Sequence, residues 1–454
     1  MHPLEALLLP VLGTALVDGD EVPSPGSGRV VCASGDGPLA VLRAGAWHVI
    51  ARPGRVDPAG TRESIQTFFT EDGRHVHAVL DHETGDVVIP FSLREAHHAY
   101  VAEQWTALTS SPRLSAGQLK FFYAVKRLIP RSLQLSARRA LMRRQGTPEF
   151  PAWPLDTSVS RLLRFYAHCR LRARGSEQEE FVWFWPHAYR SAIVLSHDVE
   201  SHEGIRLALE LADLEQELGF RSCFNFGGWY DVDPGVLREL TERGFEIGSH
   251  ALVHDRSLFS SRGAFEQQLP ALRDLHERLG AVGFRSPATH RVFDWLAELP
   301  VEYDCTIPNS DPYEPQPGGC CSVFPFWIGH VVELPYTLPQ DHTLLTLLGR
   351  RSPELWLEQS AAIEREHGLI QCLSHPDRGY LGDADKRAVY AEFLRGIAER
   401  EGIWRTLPRD AAAWWRERSA GAAGTDALGH AVVRLAGESG VVFEPPAPAT
   451  RSQF

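Results

Sequence analysis

Residues 191–200 read Ser-Ala-Ile-Val-Leu-Ser-His-Asp-Val-Glu, an apolar run of strand-forming residues that stops at a histidine and two carboxylates. An unbroken apolar run is the signature of a parallel strand covered on both faces, and α/β folds place their chemistry where such strands end. Asp198 and Glu200 are therefore the first residues to examine for function.

After this run the chain repeats itself. Five times a helical periodicity ends in glycine and an apolar run follows at once: Gly219-Phe220, Gly244-Phe245, Gly283-Phe284, Gly368-Leu369 and Gly402-Ile403. Glycine is favoured just past a helix because that position often needs positive φ. The pattern predicts strands at 191–197, 221–226, 245–249, 282–285, 301–306, 369–374 and 403–407. Helices are expected at 204–218, 234–243, 262–279, 354–367 and 384–401. Strands alternating with helices give a parallel sheet, and seven of them suggest a barrel one strand short of eight. Residues 308–340, rich in Pro, Gly and aromatics, read as a long loop with hairpin character.

Upstream, residues 29–91 show short strands and turns, with runs at 76–80 and 87–91 around a glycine-containing turn, and Ser92 is placed to cap a helix. Asp156 or Thr157 opens another helix, to about Arg174. No acidic residue lies between Glu103 and Glu149. Arg113, Lys120, Lys126, Arg127, Arg131, Arg138, Arg139, Arg143 and Arg144 accumulate there, on two amphipathic helices broken near Pro130. This basic segment, 113–144, reads either as a solvated face packed on the second domain or as a surface for anionic lipid head groups or an acidic glycan carrier. The expected organisation is α/β: a smaller α+β domain at 1–180, a barrel at 181–420 and a partly flexible tail at 421–454.

Length and charge set the outer bounds. A chain of 454 residues exceeds one ordinary domain. A formal net charge of −12 argues against general nucleic-acid binding, which needs a basic surface. The seven cysteines are scattered and show no C-x-x-C spacing, which argues against a disulfide framework and against a structural zinc knuckle. Residues 1–17 have an apolar centre but lack a basic start, and no other run approaches the length of a membrane span, so a cytoplasmic protein is expected.

Placed on this map, the polar residues converge. Asp198 and Glu200 follow the first strand, His250 and His254 the third, Arg285 the fourth and His375 the sixth, while Asp304 lies within the fifth. Strand C-termini are where barrel active sites form. The i,i+4 spacing of His250 and His254 puts both imidazoles on one face of a turn. Two imidazoles and one carboxylate, from Asp198 or Glu200, leave an open coordination position, the composition of a catalytic divalent metal centre. The plainer reading is two surface histidines on a capping turn. For Arg285 it is an ion pair at a helix end, for His375 a strand-end histidine before Pro376, and for His197 a packed core residue.

Asp198, His250-x-x-x-His254, Arg285-Ser-Pro287 and Leu373-Ser-His375, in this order and at these strand ends, resemble the polysaccharide deacetylase superfamily, whose members remove N- or O-acetyl groups from sugars. The resemblance covers about residues 189–415 and implies a distorted (β/α)7 barrel holding zinc or a similar divalent metal. The family opens with Thr-Phe-Asp-Asp, base first and metal ligand second, where this chain has Ser196-His197-Asp198-Val199. A divergent branch carries Asp-Val-Asp or Asp-Val-Glu. By that resemblance Asp198 is the base, Glu200 joins His250 and His254 as metal ligand, His375 is the acid, and Arg285 pairs with Asp198. An acetylated saccharide or glycan precursor is the implied substrate. Competing expectations are hydrolysis of a non-sugar amide or imide, a catalytically inactive glycan-binding module, and a membrane-surface or partner-binding role for residues 113–144.

Overall fold

The structure is a computed structural model that describes residues 17, 18, 28–108, 146, 148–420, 430–437 and 440–446, with residues 133, 136 and 138–140 between them. Most of the basic segment 113–144, and the helices expected there, lie outside the described residues. The N-terminal part is a seven-stranded sheet in the order Val17–Asp18, Val30–Cys32, Val87–Ile89, His75–Asp81, Arg62–Thr70, Ala40–Ala44, Trp47–Ala51. Helix Leu93–Val101 packs on it, opened by Ser92, whose side chain accepts from Glu95 N at 3.2 Å. The expected hairpin is present, with His75–Asp81 antiparallel to Val87–Ile89.

From Ser191 onward a second sheet is built on the strand Ser191–Val199, every residue of which is buried. In sheet order, Leu369–Ser374 lies on one flank of this strand and Cys223–Phe226 on the other. Beyond the latter come Glu246–Ser249, Gly283–Phe284, Tyr303–Asp304 and Val331–Glu333, all parallel. Ile403–Arg405 pairs with the start of the central strand. The intervening helices are His202–Glu217, Pro234–Glu242, Arg262–Leu279, Glu354–Arg365 and Ala384–Ala398, close to the expected spans. Asp233 caps the second, accepting from Gly235 N at 2.8 Å, with Pro234 at the first helical position.

Two of the five glycine signals work differently from expectation. Gly219, Gly244 and Gly402 do take positive φ (77°, 83° and 79°). Gly283 instead lies within a strand, where a Cβ would fall 1.9 Å from the Tyr303 ring, and the helix before it ends at Gly280. At 367–368 His367 adopts the left-handed conformation, and Gly368 leaves room for Val323.

The loop 308–340 also holds more structure than expected. Phe326–Ile328 and Val331–Glu333 form a hairpin whose second strand joins the parallel sheet. Beyond it, the Thr337 and Leu338 amides donate to Gln371 O at 3.2 and 3.1 Å, which ties the segment after this hairpin to the strand Leu369–Ser374. The segment 421–454, expected as a tail, supplies a second hairpin. His430–Ala436 and Gly440–Glu444 form a three-stranded sheet with Gln178–Val182, the strand that contains the expected 180/181 boundary. Helix Ser158–Arg174 touches both this sheet and the N-terminal one, and buried apolar residues from all parts form one continuous core.

Candidate metal centre

Strand register sets the site. Asp198 lies beside Asn225, which lies beside Gly248, so the carboxylate, the amide and the His250 turn arise at one level of the sheet. Gly248 is required there because a Cβ would meet Asn225 Oδ1 at 2.0 Å. Just past the strand ends, Glu200, His250 and His254 each place one donor atom within 4.8 Å of the others, the one such group of metal-ligating side chains among the described residues. Asp198 is outside that group.

His250 is buried, and its Nδ1 lies 2.9 Å from the Arg285 carbonyl oxygen, which can only accept. That contact fixes the proton on Nδ1 and leaves a lone pair on Nε2, a buried atom with no hydrogen-bond partner. Burial pushes the His250 pKa down to about 4, favouring the neutral ligand form. His254 Nε2 lies 2.8 Å from Glu200 Oε1. Burial would lower the His254 pKa, yet the Glu200 hydrogen bond carries it above the ordinary value. For Glu200, burial acts upward, but His254, together with the charges of His375 and His250, holds the carboxyl well below its usual range. An orphaned buried lone pair beside an imidazole and an anionic carboxylate is a donor set that fits a divalent cation.

The surrounding loops hold this set in place. Trp229 Nε1 donates to Glu200 O at 3.3 Å, and its ring lies 5.7 and 5.3 Å from the His250 and His254 rings. Asp377 accepts from Glu200 N at 2.9 Å and from Ser201 Oγ.

Asp198 is buried, and its Oδ1 accepts from Asn225 Nδ2 at 2.8 Å. Burial would raise its pKa, but the charges of His250, Arg285 and His375 keep it below the ordinary carboxylate value. His375 is held by Asp341 at two points: Nδ1 lies 2.8 Å from Oδ1, and the backbone N donates to Oδ2 at 3.0 Å. Its ring stacks on Tyr380 at 4.6 Å, and Nε2 lies 3.7 Å from Glu200 Oε1. Although burial would lower its pKa, Asp341, with Glu200 and Asp198, pushes it up to about 10.

Arg285 departs from expectation. It makes no ion pair with Asp198; its Nη2 donates to Ser196 Oγ at 2.9 Å, and the guanidinium lies over the Tyr336 ring. Asp198 is already engaged by Asn225, and Arg285 projects into the sheet interior at the level of Ser196, where its charge reaches Asp198 without contact. His197 is a buried, bonded core residue, with Nδ1 2.8 Å from Ser374 Oγ and Nε2 2.8 Å from Glu215 Oε1. His202 is exposed. Asp304 is buried against Glu333; burial raises both carboxyls, and their mutual repulsion raises Glu333 further. All seven cysteines are buried and unbridged.

Asp341, Asn225 and Trp229 are the residues missed by sequence reasoning. Asn225 had a signal, a lone polar residue at the inward position of Phe224-Asn225-Phe226. Asp341, at the end of an irregular loop, had none.

No family model and no curated protein matches this sequence. Solved structures do. A Mycobacterium smegmatis protein assigned as a polysaccharide deacetylase is 19% identical, with a TM-score of 0.44 over 52% of this chain and 94% of that one. The Puue allantoinase is 16% identical, with a TM-score of 0.41 over 51% and 92%. Peptidoglycan deacetylase PdaC from Bacillus subtilis is 12% identical, with a TM-score of 0.33 over 52% and 96%. Over about half of its length this chain is similar to these solved structures, each of which is covered over more than nine-tenths of its own length.

Proposed function

We propose that this protein is a metal-dependent hydrolase that removes acetyl groups, N-acetyl first among them, from a saccharide or glycan precursor, and that its curled sheet is a distorted (β/α)7 barrel. The observation that carries the reading is the buried, unpartnered Nε2 of His250 within ligand range of Glu200 and His254. Those three residues would hold the ion, with zinc the first candidate. When bound, it supplies Lewis acidity, polarising a carbonyl oxygen and making a nearby water more acidic.

The chain's own groups divide the proton work. Asp198, kept anionic and oriented by Asn225, takes the proton of the attacking water as the new C–O bond forms. His375, kept protonated at neutral pH by Asp341, delivers a proton to the amine nitrogen as the C–N bond breaks. Acetate and a free amine leave. Arg285 supports Asp198 through its charge alone.

The test is acetate release from N-acetylated amino-sugar oligomers by cobalt- or zinc-loaded protein, with O-acetylated sugars and non-sugar amides and imides alongside. The expected result is acetate and amine in equal amounts, with release slowed by about 10²–10⁴ in Asp198→Asn. Absence of acetate from every sugar, with turnover of an imide, would move the assignment to the non-sugar alternative; no turnover at all would overturn it.

A further inference from the structure

Arg138 belongs to the basic segment of the N-terminal half, yet it reaches the loops at the mouth of the site. Its Nη2 donates to Tyr313 O and lies 4.0 Å from Glu314 Oε1, while Nη1 donates to His342 Nε2 at 3.2 Å. The next residue, Arg139, donates from Nη2 to Thr346 O at 2.6 Å. Two consecutive arginines thus grip the turn His342–Leu347 near both of its ends. The residue capping that turn is Asp341, whose carboxylate accepts from His342 N at 2.7 Å and also holds His375. A second route runs through rings: His342 lies 5.7 Å from Tyr380, which stacks on His375.

We infer that Arg138 is a positioning residue for the proton-donating side of the site, which makes the N-terminal half a working part of the catalytic unit; this rests on the hydrolase reading above. The planar guanidinium suits the task, because one group bridges a carbonyl, an imidazole and a carboxylate that come from two different loops. Lysine would keep the charge and lose the fork. An arginine that merely stapled the loops would affect stability and leave turnover alone. One that sets the Asp341–His375 geometry must act on the chemical step, where small misplacements are costly.

The experiment compares Arg138→Ala and Arg138→Lys with the unaltered full chain, all cobalt-loaded, on an N-acetylated amino-sugar oligomer. For Arg138→Ala the expected result is a fall in kcat of about tenfold or more with KM changed less than about threefold. Arg138→Lys should be intermediate, and cobalt affinity should stay within about twofold of the parent, since no ligand is touched. Amide hydrogen exchange should quicken across 341–347 in Arg138→Ala while 200–204 stays as it was. An unchanged kcat, whatever the exchange shows, would overturn the inference, as would a parallel loss of cobalt affinity. Should the unaltered chain release no acetate, the deacetylase reading falls by itself, and the exchange at 341–347 still decides whether Arg138 holds the turn.

Discussion

A histidine whose Nδ1 proton is engaged by a backbone carbonyl has one lone pair to offer, and at His250 that lone pair is buried beside Glu200 and His254. Around it, each residue's part follows from what it touches, and the parts separate experimentally. Asp198→Asn should leave cobalt binding intact and lower kcat by about 10²–10⁴, the ordinary weight of a general base, measured as acetate release under saturating substrate. Asp341→Asn should cost about 10–100-fold in kcat with little change in metal affinity, because it alters only the group that holds His375, the proposed proton donor. Much of this site was legible in the sequence because Asp198 lies near the end of an apolar strand, Glu200, His250 and His375 each directly follow one, and His254 stands four residues beyond His250. Asp341 was not, since a carboxylate at the end of an irregular loop carries no periodicity. The departure of Arg285 was also unreadable, because it depends on Asn225 occupying Asp198 from a neighbouring strand.

At the level of elements, most helices were read well because a 3.6-residue apolar period and a cap are both local, though Pro408–Ser419 was not expected. Arg262–Leu279 has the expected bounds. The short strands were harder. Val331–Glu333 has three residues, too few to show alternation, and joins the sheet only because Tyr303–Asp304 offers it an edge. Strand pairing also explains an unusual acid. Glu246, at the start of the third strand, is buried, and accepts from Tyr303 Oη at 2.6 Å and Arg409 N at 3.1 Å. Burial pushes its pKa up to about 7, from 4.5 in the unstructured chain. The folded state therefore binds this proton more tightly than the unfolded state does. The stabilisation it contributes is complete below about pH 4.5 and is lost as pH rises through about 7. Relative to Glu246→Gln, the parent should lose up to about 3 kcal/mol across that window, read from urea denaturation midpoints at each pH.

For the whole molecule, the packing argues for one cooperative unit. Glu103 of the N-terminal part pairs with buried Arg291, in the loop between the Gly283–Phe284 and Tyr303–Asp304 strands, Nε to Oε2 at 3.1 Å, and Trp105 Nε1 donates to Gly319 O at 3.1 Å. Removing one partner of a buried pair strands the other charge, so Glu103→Ala should cost about 3–5 kcal/mol, within a single urea transition seen alike by fluorescence and circular dichroism. The C-terminal hairpin buries Val433, Val441 and Phe443. Deleting residues 430–454 should lower stability by about 1.5–3 kcal/mol for each. These long-range pairings, such as Glu180 with Val432, join segments far apart in the chain and leave no local trace in sequence. Among the described residues, no helix is long and apolar enough to cross a membrane.

Cobalt titration, followed by visible absorption, tests the account at its centre. The unaltered chain should bind one equivalent at the Glu200, His250 and His254 cluster, with a spectrum of low-coordinate Co²⁺, and His250→Ala should lose that tight equivalent. Undiminished binding by His250→Ala, or no binding by the parent, would contradict it.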